Sequence, residues 1–212
     1  GATLAEVQDL TTRAAANGVT LYTTWHSRMA KGVAAAKAFL ADKTITSGYI
    51  DWREDVRRWH PEQEWVFELG GMGVFDPGIN ALSILTDVLP RPVHITSALL
   101  NFPENRFTPI AAEVAFSGNL TMTLDWLKDG QQMWEMILRA GDDQVHLSEG
   151  GNRCVINGTE VAGSVLDEYP ALYDQMARLV SSGASEVDLA PMIHVADAMT
   201  LGKRVTVAPF SF

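Results

Sequence analysis

The 212-residue sequence contains a single cysteine, Cys154. One thiol excludes an internal disulfide framework and any zinc site built on cysteines, and the expected compartment is the cytoplasm. Basic residues are also scarce: 16 Lys and Arg stand against 26 Asp and Glu, for a net charge of −10. With no Lys/Arg-rich run, the chain is not expected to bind nucleic acid or an anionic membrane surface. No apolar run reaches the length needed to span a bilayer. The sequence has no Gly-x-Gly-x-x-Gly between a strand and a helix, so it carries no dinucleotide fingerprint of its own. It has no Gly-x-Ser-x-Gly elbow, no His/Asp/Glu set with metal-ligand spacing, no internal repeat and no low-complexity segment.

What remains is an ordinary globular composition, with 47% hydrophobic and 20% charged residues. The length suits one full domain, or a domain plus part of another. Thr3, followed three residues later by Glu6, predicts a capping box; Leu4, Val7, Leu10, Ala14 and Ala15 give that helix its inward stripe, and Asn17-Gly18 ends it. Residues 19–25 are rich in β-branched and aromatic types and read as a strand, followed by a second helix over 30–40. Long strands are expected from residue 45 onward: 45–54, 94–102, 110–116, 120–127, 133–139, 144–148 and 153–156. Gly118-Asn119, Asp129-Gly130, Gly141-Asp142 and Asn157-Gly158 supply hairpin turns between them, which predicts an antiparallel sheet. Two helices close the chain, over 172–180 and 191–201. Met133, Met136 and Met176 read as core filler.

The pattern turns on Gly70-Gly71-Met72-Gly73-Val74-Phe75-Asp76-Pro77-Gly78-Ile79-Asn80. Its glycines permit positive φ and close approach. Asp76-Pro77 is expected to start a helix, with Asp76 as N-cap and Pro77 in the first helical position. Asp76 and Asn80, four apart, would project from one side of its first turn. Asp76 is then a cap alone or part of a site. His26 falls where a strand gives way to a helix, where ligands bind in α/β sheets, but a lone His is as often structural. Trp52-Arg53-Glu54-Asp55-Val56-Arg57-Arg58-Trp59-His60-Pro61 is too charged for a core strand. It reads either as a solvated edge strand with ion pairs, or as a polar wall with aromatic platforms of the kind sugar sites use.

These last stretches, with Gly1-Ala2-Thr3-Leu4, Thr24-Trp25-His26-Ser27-Arg28 and Glu168-Tyr169-Pro170-Ala171-Leu172-Tyr173, resemble the bacterial L-arabinose/D-galactose 1-dehydrogenases. That family lies within the glucose–fructose oxidoreductase/inositol dehydrogenase superfamily. The likeness runs over essentially the whole chain. It implies an α+β fold: a large, open, mostly antiparallel sheet with helices on one face, preceded by the last helix and strand of a Rossmann-type domain that is otherwise missing. Residues 1–28 would be that remnant, and 29–212 the substrate-binding and oligomerisation domain. Family members carry a Glu-Lys-Pro motif just before the point corresponding to Gly1.

The implied activity is oxidation of the anomeric C1 of an aldopyranose to a lactone, with NAD or NADP as hydride acceptor. Asp76 would take or relay the C1 hydroxyl proton, working with the family's Lys, and Asn80 would orient that hydroxyl. His26, Glu54 and His60 would grip other hydroxyls, while Trp59 and Trp134 shape the pocket. The wider superfamily has His where this chain has Asn80; the subfamily carries Asn. The implied partners are the sugar and a second copy of the chain, paired through the sheet. A regulator that binds sugar without turnover and a pure dimerisation module are the alternatives.

Overall fold

The computed structural model describes residues 3–212; Gly1 and Ala2 lie outside the described residues. Its centre is a nine-stranded sheet in the order β8-β7-β6-β5-β1-β4-β3-β2-β9. The strands are β1 (Ser47–Arg53), β2 (Ile95–Pro103), β3 (Ala111–Phe116), β4 (Leu120–Asp125), β5 (Met133–Ala140), β6 (Asp143–Ser148), β7 (Arg153–Ile156), β8 (Thr159–Val161) and β9 (Lys203–Val207). All neighbours are antiparallel except β1 with β4 and β2 with β9. Three of the four expected hairpins form, at 118–119, 141–142 and 157–158, with Asn119 and Asn157 in the left-handed region beside Gly118 and Gly158. Asp129-Gly130 joins no hairpin, because β1 inserts between β4 and β5 and pairs with both. β8 and β9 lie beyond the strands read from the sequence. Both are short or polar edge strands, with little apolar alternation to announce them.

Alternation along the strands gives the sheet two unlike faces. Ile50, Leu100, Val114, Met122, Leu124 and Leu138 are buried on one face. Helices α2 (Val33–Leu40), α4 (Phe75–Val88) and α6 (Ala190–Leu201) pack there. The other face carries Tyr49, Asp51, Arg53, Glu113, Thr121 and Arg139, and no helix among the described residues covers it. Of the three methionines read as filler, Met136 is buried, while Met133 and Met176 are half-buried.

The remaining helices are α1 (Leu4–Ala16), α3 (Val56–Trp59) and α5 (Glu168–Ser182). α1 opens on the expected capping box: Glu6 N donates to Thr3 Oγ1, and Thr3 N donates to the Glu6 carboxylate. Residues 19–25 do not form a strand. Their only ladder contact is one parallel bridge, Tyr22 to Glu186, and β-branched content alone makes no strand without a neighbour to pair with. The helix expected over 30–40 forms only from Val33, as α2, and a separate 3₁₀ turn, His26–Met29, precedes it.

α4 also begins earlier than expected. Its N-cap is Val74, so Asp76 is its second residue and caps nothing. The reason lies upstream. Gly73 takes φ +55, and a Cβ there would overlap Pro109 O; Val74 N then donates to that same carbonyl at 2.7 Å. A glycine-dependent turn thus anchors the helix start, and the Asp76 side chain is left available. Gly78 lets α4 lie close on the sheet: a Cβ there would sit 2.6 Å from Leu124 Cδ1.

Candidate active site

Six separate pieces of chain converge beyond the end of β1, the stretch 149–152 with Glu149, Gly150 and Asn152 among them. β1 delivers Trp52 and, just past its end, Glu54. Asp55 then caps α3, its carboxylate accepting from Arg57 N at 2.9 Å. This tight turn throws Trp59 and His60 back over the strand end. α4 contributes Asp76 and Asn80 from its first turn, and β5 contributes Trp134. The 3₁₀ turn contributes His26, and the first turn of α5 contributes Glu168 and Tyr169. Together they line one cavity of about 510 Å³, a size usual for small-molecule sites.

Glu54 is buried and both its oxygens are held. Trp126 Nε1 donates to Oε1 and Trp134 Nε1 to Oε2, each at 3.1 Å. Burial pushes its carboxyl above the ordinary 4.5, opposed by the two indole donors and by His60. Trp134 is thereby fixed as a wall, with Trp59 at 5.9 Å and Trp52 at 6.4 Å between ring centroids. The expected gripping carboxylate therefore first serves to orient two indoles.

His60 and Asp76 form the second unit, with Nε2 3.1 Å from Asp76 Oδ2. On the far side of the ring, Nδ1 lies 3.3 Å from Gln63 Oε1, which also accepts from the Trp65 indole at 3.1 Å. An atom that accepts from an indole N–H is the amide oxygen, so Nδ1 carries a proton. One further proton then sits between Nε2 and Oδ2, on the imidazolium or on the carboxyl. An unprotonated Nε2 facing an ionised carboxylate would set lone pair against lone pair. Burial raises the Asp76 carboxyl above its ordinary 3.8, against the pull of His60. The pair shares one proton across this contact.

His26 is anchored from outside. Its Nδ1 lies 2.7 Å from Glu168 Oε2, and its ring stacks on Tyr169 with centroids 5.6 Å apart and planes 9° from parallel. With Nδ1 engaged, Nε2 is the nitrogen left for a ligand. The Asn80 side-chain amide makes no hydrogen bond among the described residues; the Asn80 backbone carbonyl accepts from Ser83 Oγ at 2.7 Å. A free amide beside a proton-sharing pair, under indole walls, is equipped to bind a neutral polyhydroxylated ring and to move one proton. Among the described residues no group of three or more His, Cys, Asp or Glu could hold a metal ion.

A crystal structure of D-galactose-1-dehydrogenase from Rhizobium etli superposes on the whole of this chain with a TM-score of 0.93. The two are 50% identical, and the match covers 69% of that protein. The chain belongs to the galactose 1-dehydrogenase family, of the glucose–fructose oxidoreductase/inositol dehydrogenase type. Galactose 1-dehydrogenase of Pseudomonas fluorescens is 39% identical over 185 residues, and the chain spans 60% of its length. A 3-ketoreductase from Actinomadura kijaniata shares the fold, with a TM-score of 0.75 at 12% identity over 94% of this chain and 67% of its own. No family model matches the chain.

In this galactose 1-dehydrogenase relative, His26, Glu54, Trp59, His60, Asp76, Asn80 and Trp134 all meet in the one cavity. The edge-strand reading of 52–61 fails, because β1 is the middle strand of the sheet and 56–59 is helical. Glu168 and Tyr169 were not read as site residues. Their only sequence signal was the Glu168-Tyr169-Pro170 stretch, which sits 142 residues from His26. Gln63, which fixes the His60 proton, gave no signal at all.

Proposed function

We propose that this chain is the substrate-binding part of an NAD(P)-dependent aldose 1-dehydrogenase, which oxidises the anomeric C1 of D-galactose or L-arabinose pyranoses to the lactone. The observation that carries this reading is the His60–Asp76 pair beside the free Asn80 amide in a tryptophan-walled cavity. Two relatives named for galactose 1-dehydrogenation support it.

The cavity fits one end of a nicotinamide cofactor only. Its lining includes no Lys or Arg, and no glycine-rich turn into a helix that would cradle a pyrophosphate. When bound, such a cofactor accepts the C1 hydride. The residues of this chain do the rest. Asn80 orients the C1 hydroxyl toward Asp76. As the C1–H electron pair departs, the hydroxyl proton passes to the Asp76 carboxylate, which His60 holds in place, and C1–O becomes the lactone carbonyl. His26 Nε2 bonds a further hydroxyl, and Trp59 and Trp134 cover the apolar C–H face of the ring. His60 packs edge-on against Trp126, at 5.4 Å, which fixes the ring facing Asp76.

The relatives' greater length supports assigning 1–28 to the end of a nucleotide-binding domain and 29–212 to the substrate domain. The 212 residues alone are then expected to bind sugar without oxidising it. The uncovered sheet face is the surface through which a second copy would pair. The test is lactone formation from D-galactose and L-arabinose with NAD and with NADP, by protein of the relatives' length and by this chain. Light scattering on the same samples reads the oligomer. Absence of turnover with every pair would remove the reading.

A further inference from the structure

Segment 208–212 follows β9 and packs on Arg57 and Phe67, behind the loop that carries His60. Asn105 clamps it through both polar groups of Phe210: Nδ2 donates to the carbonyl and Oδ1 accepts from the amide, each at 2.9 Å. Arg106 adds a bond from Nη2 to the same carbonyl at 3.1 Å and an ion pair to Glu64. The Phe210 ring is buried, beneath the Arg57 guanidinium at 4.9 Å.

From Phe210 an unbroken run of aromatic contacts leads to the site. Phe210 lies 5.2 Å from Phe67, Phe67 lies 5.4 Å from Trp126, and Trp126 lies 5.4 Å from His60. Phe67 and Trp126 are fully buried. Trp126 also holds Glu54. The loop that carries His60 and Gln63 is otherwise anchored by Thr108 Oγ1 to Val66 O, Phe107 N to Phe67 O and Gly73 N to Val66 O, each at 3.0 Å, and by the Arg106–Glu64 ion pair.

We infer that Phe210 is a positioning residue for the sugar site: it seats Phe67, which seats Trp126, which sets the His60 ring and the Glu54 carboxylate. Close-packed rings pass displacement on rather than absorb it. A shift of a fraction of an ångström at His60 is enough to disturb a bond of 3.1 Å to Asp76. The inference rests on the sugar reading for its effect on binding, but its structural half stands apart from that reading.

The experiment uses the 212-residue chain with Phe210→Ala, Phe210→Leu and Asn105→Ala. D-Galactose affinity is read from tryptophan fluorescence, well below each thermal midpoint. The ring ¹⁵N shifts of His60, assigned by loss of the signal in His60→Gln, report which nitrogen holds a proton. Phe210→Ala and Asn105→Ala are expected to raise Kd on the order of 10-fold and to average the His60 signals between protonation states. Phe210→Leu should restore most of both. Should Phe210→Ala not fold, the other two variants decide. Kd within twofold of wild type and unchanged His60 signals in folded Asn105→Ala and Phe210→Ala would overturn the inference. Failure of wild type to bind D-galactose would remove the sugar reading instead, and the His60 signals alone would then decide.

Discussion

Asp76 Oδ2 lies 3.1 Å from His60 Nε2. Asp76→Asn keeps a polar group in the first turn of α4. It gives up the favourable charge–dipole interaction there, worth about 0.3–1 kcal/mol, so the thermal midpoint should move little. In protein of the relatives' length kcat should fall on the order of 10²-fold, because Asn accepts no proton. Burial raises the Asp76 carboxyl, so the acid limb of the kcat/KM profile should lie above 3.8, the ordinary aspartate value. A pH–rate profile of wild type and of the variant checks both.

Glu54 makes a prediction about stability. Its carboxyl is raised by burial, so the folded chain binds this proton more tightly than the unfolded chain does. Stability contributed by the group is therefore greatest at low pH and declines as pH rises from the ordinary 4.5 through the higher folded value. Glu54→Gln should flatten that decline. It should also cost about 1–3 kcal/mol, because one amide oxygen cannot replace two carboxylate oxygens before two buried indoles. Chemical denaturation across pH 4–8 measures slope and offset together.

Trp59 and Trp134 should separate. Trp59 is 45% exposed, so Trp59→Ala should leave the midpoint nearly unchanged while weakening D-galactose binding by roughly 0.5–1.5 kcal/mol, the worth of an aromatic contact. Trp134→Ala should cost both, since it also strips Glu54 of a donor. Equal effects of the two variants on folding would remove Trp59 from the cavity wall.

The core supplies a further case in His194. It is buried on α6, edge-on to Phe116 at 5.5 Å, and its Nδ1 has no partner among the described residues. Burial lowers its pKa, with Asp197 opposing. The unfolded chain then binds the proton more readily, so stability is full above about 6.5, the ordinary histidine value, and is lost as pH falls below it. In His194→Leu, thermal midpoints between pH 7.5 and 5 should show less of that loss.

The sequence disclosed the fold where local chemistry determines it. The turn pairs at 118–119 and 157–158 dictate hairpins, and Thr3 with Glu6 dictates a helix start. It misled where a distant partner decides the outcome. Residues 19–25 have strand composition but only Glu186 to pair with, and Asp76 has the chemistry of a cap while Gly73 and Pro109 set the helix start two residues earlier. Of the candidate site residues, Glu54, Trp59 and His60 were legible as types, because indoles and carboxylates packed into one charged stretch lack a core explanation. Their supports, Gln63, Trp126 and Glu168, are defined only by what they touch.

The position of β1 at the middle of the sheet has a consequence for synthesis. Both its neighbours come far later in the chain: Gly48 pairs with Leu120 on one side and with Leu138 on the other. A nascent chain therefore presents the bare edges of β1, with Ile50 and Trp52 unshielded, throughout translation of α4, β2 and β3. Such long-range pairing is slow and open to aggregation. On the ribosome the central strand stays unpaired until β4 and β5 emerge, and the cavity is incomplete until Glu168 and Tyr169 have emerged to meet His26.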